Sequence, residues 1–145
     1  MSSVGVFTSA LNLLEYEPAG IPQANLWVVA SPLVFKTDAA VITVPKGFVT
    51  DLASIPRPLR AVFNVNGLSR APAVLHDYLY CSQQFSRAEA DALFLAALEA
   101  RKVPRLERYS MYLGVRAGGW IYYNKRKAGQ GLSLEDFVPP GYFSA

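Results

Sequence analysis

Residues 45–60, PKGFVTDLASIPRPLR, hold three prolines and a glycine in 16 positions. Proline lacks a backbone N–H and biases the residue before it toward extended backbone, so no helix is expected ahead of Pro58. The segment reads as an ordered, irregular loop, and it separates two different kinds of sequence. Before it come short runs rich in Val, Phe, Trp and Thr: residues 4–8, 26–30, 33–36 and 41–44, parted by Pro, Gly, Asn or Asp clusters. These are strand signals. LVFKTDAAVITV predicts a hairpin turning at Thr37–Ala39.

After the loop the pattern becomes helical. A first helix is expected from Ala71 or Pro72 through AVLHDYLYC, with its proline where an N–H has no intrahelical partner. A second starts at Ser86, whose spacing to Glu89 is that of a capping box, and runs to about Lys102. A third begins beside Pro104 and extends to the basic turn Lys125–Lys127, stopped by Gly129. Gly114, Gly118 and Gly119 lie close together on it. Glycine weakens a helix by about 1 kcal/mol relative to alanine, so a close approach to the backbone is expected there. Strands first and helices second define an α+β fold, a small antiparallel sheet packed on two or three helices.

The chain has 145 residues, 52% of them hydrophobic and 17% charged. That is enough for one core without staples. Residues 1–130 are expected to form a single domain and 131–145 a tail rich in aromatic residues and proline. One cysteine, Cys81, excludes a disulfide framework within the chain, and one histidine, His76, excludes the usual zinc-finger sets. The longest uncharged stretch, Pro18–Phe35, is interrupted by Pro22 and Pro32 and carries Gln23 and Asn25, so no membrane span is expected. The first residues lack the basic start of a secretory signal, so synthesis in a reducing cytoplasm is expected. The net charge of +3 is uneven: residues 1–100 carry six basic and eight acidic side chains, residues 101–145 eight and three. A basic end fits a solvated helix face, with cations near the C-terminus where they complement the helix dipole, or a surface for nucleic acid. The nucleic-acid option ranks last, because Arg105, Arg108, Arg116, Lys125, Arg126 and Lys127 form no single stripe.

Few polar residues are placed for chemistry. At about 100° per residue, Asp91 shares a helix face with Phe94, Leu95 and Leu98. A carboxylate there needs a cation, a metal or strong donors, and Arg57 and Arg116 are candidate partners. His76 and Asp77 stand side by side in the first helix, and Asp51 lies in the loop. Two arrangements of these residues stay open. Asp51, His76 and Asp77 can bind a divalent, zinc-like metal, with His76, Asp77 and Asp91 as catalytic groups. Alternatively, His76 and its neighbours form a hydrogen-bonded network tying the loop to the helices. Nucleophilic catalysis would have to pass through His76. Ser54 lacks a nucleophile elbow, and Cys81 points roughly 140° away from the imidazole on the helix. No glycine-rich phosphate loop is present.

The loop and helices also resemble an uncharacterised family of small proteins widespread in tailed-phage and prophage genomes. Its signature is a Gly-Phe-x-Thr-Asp-x-Ala-Ser-x-Pro loop, a His-Asp-x-Leu-Tyr helix, an Ala-Asp-x-x-Phe helix and a glycine-containing terminal helix. The matching positions are Gly47, Phe48, Thr50, Asp51, Ala53, Ser54 and Pro56; His76, Asp77, Leu79 and Tyr80; and Ala90, Asp91 and Phe94. The match runs over roughly residues 26–123. The resemblance implies a phage context and groups Asp51, His76, Asp77 and Asp91 in one motif set. The expected function is therefore a virion protein, tail-associated or acting in assembly, that needs no cofactor. It would bind other virion proteins, partly through Phe137, Tyr142 and Phe143, and oligomerise within a particle. The competing expectation is a small metal-dependent hydrolase, directed for example at the cell wall.

Overall fold

The computed structural model describes residues 5–16, 26–50, 67–119 and 123–124. Asp51, Ser54, Arg57, Lys125–Lys127 and the tail with Phe137, Tyr142 and Phe143 lie outside them. The described strands are β1 (Gly5–Phe7), β2 (Leu13–Tyr16), β3 (Leu26–Val29), β4 (Leu33–Thr37), β5 (Val41–Val44) and β6 (Val49–Thr50). Three helices follow among the described residues: α1 (Arg70–Ser82), α2 (Arg87–Ala100) and α3 (Arg105–Gly118). The architecture is α+β, as the order of sequence types predicts. In place of the single sheet expected, the described strands form two, each antiparallel and three-stranded, in the orders β1-β4-β5 and β2-β3-β6.

The β4–β5 hairpin forms where expected, with Leu33 opposite Val44 and Phe35 opposite Ile42. Those four side chains are buried while Val41 and Thr43 face out, the period-two alternation of a half-covered sheet. The turn lacks Asn-Gly; instead the Thr37 hydroxyl accepts from the N–H groups of Ala39 and Ala40. Sequence pattern missed β2 and β6. Residues 49–50 belong to the loop that the prolines announce, yet they pair with Trp27 and Val28 of β3. The turn into β6 is closed by Gly47, whose φ of +92° is one that side-chain-bearing residues rarely adopt, and whose N–H donates to Val29. Val29 in turn donates to Phe48. These bonds hold β3 to the start of the loop, so it joins β2 and β6 although only a short turn separates it from β4.

Helix α1 is the centre of the molecule. Ala71 through Asp77 and Leu79 through Cys81 are all buried, as expected of a helix covered on nearly every side. One core packs it against the sheets through Phe35, Ile42, Phe48, Leu75 and Leu79, with Ala90 and Ala97 of α2. A second joins Ala73 to Phe94, Leu98, Met111 and Val115, which lies between the three helices. The capping box at Ser86–Glu89 is present in both directions. Helix α3 begins at Arg105 after Pro104 and is regular over its described span to Gly118; its expected end at Lys125–Lys127 lies outside the described residues. Residues 123–124 are again helical, and Tyr123 donates an α-type bond to the Gly119 carbonyl.

Candidate functional site

Asp91 sits inside α2 with its side chain fully buried. The helical pattern puts it on the apolar face, and α1, α3 and its own helix supply its partners. One carboxylate oxygen accepts from His76 Nε2 at 2.7 Å and from the Tyr80 hydroxyl at 2.6 Å. The other accepts from Arg116 at 2.9 Å and, at a long 3.4 Å, from Arg87. His76 and Tyr80 are four apart and so share a face of α1. Arg87 is one turn before Asp91 on α2, and Arg116 comes from the last turn of α3. Arg87 also donates to the carbonyls of Val115 and Arg116, a basic group at the negative end of α3. One carboxylate therefore fastens all three helices together.

Burial would by itself push the Asp91 carboxyl upward. The hydrogen bond and charge of His76, then the Tyr80 hydroxyl and Arg116, outweigh it and hold the group below its ordinary 3.8. Burial, then the bond and charge of Asp91, push the Tyr80 phenol well above its ordinary 10.0, with Arg87 pulling weakly the other way. Both groups are thus fixed as ionised acceptor and neutral donor. The expected ion pair with Arg116 is present.

His76 also meets the rings of Tyr80 and Phe94, at centroid distances of 4.1 and 4.7 Å. An ionised carboxylate only accepts, so the shared hydrogen is on Nε2. Nδ1 is buried and has no hydrogen-bond partner among the described residues. Asp77 is buried one residue on, and its carboxylate accepts from Thr50 of β6 at 2.5 Å. This bond ties β6, at the start of the loop, to α1. His76 and Asp91 thus share one cluster, while Asp77 holds β6. Among the described residues no group of three His, Cys, Asp or Glu is placed to hold a metal ion. Cys81 is buried and in no disulfide.

Sequence reasoning overlooked Tyr80, Arg87 and Thr50 as partners. The i, i+4 spacings from His76 to Tyr80 and from Arg87 to Asp91 are signals that would have found two of them. The close backbone approach expected among the glycines falls on Gly119. A Cβ there would lie 2.5 Å from the Tyr80 hydroxyl and 2.4 Å from the Val115 carbonyl oxygen.

Among the described residues, two small antiparallel sheets on three helices, clamped by a buried carboxylate, define an α+β arrangement with its polar cluster inside the core. The chain belongs to the protein family of unknown function DUF1353, whose profile matches residues 27–115. Searches of the curated proteins and of the solved structures gave no match.

Proposed function

We propose that this chain is a structural binding protein, and that its partners are other proteins of a phage virion. The observation that carries the binding role is on α3. Leu106, Tyr109 and Leu113 are spaced i, i+3, i+7, so they form one row along the helix, and they are 82%, 38% and 63% exposed. Met111 and Val115 on the opposite face are the described α3 residues buried in the core. An apolar row turned to water on a helix whose other face is already packed marks an interaction surface. The Asp91 cluster agrees with this role: its donors are spent on holding helices together. The virion as the setting rests on the resemblance of the loop and helix motifs to those of phage and prophage proteins.

The test is association with particles. Particles from a producing host should contain the wild-type chain. Leu106→Ser with Leu113→Ser should leave the soluble protein folded and remove it from the particles. A chain confined to host cytosol and absent from purified particles overturns the proposal.

A second reading, a metal-dependent hydrolase, has one observation in its favour. With Nε2 held by Asp91, Nδ1 of His76, unpartnered among the described residues, is placed as in a metal-ligating or proton-accepting imidazole backed by a carboxylate. Asp77 and Asp51 would be the further ligands, and a bound divalent ion would supply an activated water. Metal analysis of the purified protein and of His76→Ala separates the two readings. A stoichiometric ion lost in the variant supports the hydrolase; no metal in either removes it.

A further inference from the structure

On a different part of the molecule from the α3 row lies a cleft of about 500 Å³, within the range of small-ligand and peptide sites. Its apolar floor comes from Phe7, Leu13 and Trp27 of the two sheets. Its charged rim comes from Arg70, at the start of α1, and Arg101, just past the end of α2. Both guanidiniums are exposed, and among the described residues neither is ion-paired. No carboxylate is among the described residues lining the cleft. The first turn of α1, which opens on the same space, contains no acidic residue.

We propose that this cleft binds an acidic peptide segment of a partner protein, with carboxylates against Arg70 and Arg101 and a bulky apolar side chain over Trp27. Charge complementarity selects the occupant. Two unpaired guanidiniums beside an apolar floor match a ligand with anionic ends and an apolar middle, and arginine forks fit carboxylates in paired geometry. A second copy of this chain is a poorer occupant, because it presents the same positive rim. The inference does not depend on the α3 row, and either can fail alone.

The test is a titration of the full chain, followed by amide and indole NMR shifts, with the peptide acetyl-Asp-Phe-Leu-Asp-amide. Its partner probe is acetyl-Asn-Phe-Leu-Asn-amide, which keeps the shape and removes the charge. The acidic peptide should shift Phe7, Leu13 and Trp27 and bind more weakly as salt rises. The Asn peptide, and Arg70→Glu or Arg101→Ala with the acidic peptide, should each bind roughly tenfold more weakly. Arg70→Glu adds a carboxylate where the α1 dipole favours one, so lost binding there does not reflect a lost fold. Thermal melts check both variants. Absence of binding, equal binding of the two peptides, unchanged binding by the variants, or shifts centred elsewhere overturns the proposal. So does displacement of the peptide by inorganic phosphate at matched ionic strength, which would mark a bare anion site.

Discussion

Asp91→Ala removes the acceptor that four donors share. Two of those donors, Arg87 and Arg116, have side chains 24% and 33% exposed, so they can turn to water and lose little. The cost falls on His76 Nε2–H and the Tyr80 hydroxyl, both in residues without exposure. Leaving a buried donor unsatisfied costs about 1–3 kcal/mol, and breaking a buried charge network about 3–5 kcal/mol, so the variant should lose about 4 kcal/mol. For a chain of this size that lowers Tm by about 8–16 °C. Asp91→Asn keeps one oxygen for His76 and Tyr80 but turns an amide N–H₂ toward the guanidiniums, and should lose about half as much. Urea unfolding at neutral pH, with m unchanged, measures both. A loss below about 1 kcal/mol for Asp91→Ala would show that the helices are held by apolar packing alone. An Asn variant less stable than the Ala variant would refute the apportionment among donors.

Stability should have an acid and an alkaline edge. Asp91 is depressed, so its contribution is complete above its unfolded 3.8 and is lost as pH falls through the lower folded value. Tyr80 is raised, so its contribution is complete below 10.0 and fades as pH rises toward the folded value. In urea melts across pH, Asp91→Asn should flatten the first edge and Tyr80→Phe the second. Gly119→Ala should cost about 1–3 kcal/mol by overpacking against the Tyr80 hydroxyl and the Val115 carbonyl, read as a lower urea midpoint. Thr50→Val removes the hydroxyl bonded to Asp77 and should cost about 1–3 kcal/mol, with hydrogen exchange rising first at β6. Leu106→Ser with Leu113→Ser should change stability by less than about 0.5 kcal/mol, because both side chains face water.

Local chemistry made much of this fold readable in sequence. The Ser86–Glu89 box, Pro72, and the alternation across β4 and β5 are short-range signals whose physics is complete within a few residues. The apolar neighbours of Asp91 on its helix face likewise foretold a buried carboxylate in need of a cation. What the strand pattern could not show was β2 and β6. LLEY lacks clear alternation, and Val49–Thr50 is too short to register beside the prolines. Those two strands are made by backbone bonds to β3, which is sequence-distant from both.

The single histidine illustrates the division. Sequence alone determined that any imidazole chemistry must pass through His76, and that it sits in a helix beside Asp77. It also determined that Asp91 needs a partner, because an apolar helix face cannot leave a charge unpaired. Tertiary structure decided which atoms meet: His76 and Tyr80 turn to Asp91, Asp77 turns to Thr50, and Arg116 arrives from the far end of α3. The reason is physical. A hydrogen-bond partner 25 residues away along the chain is chosen by how the helices cross, which depends on how whole faces pack and not on any one segment's sequence.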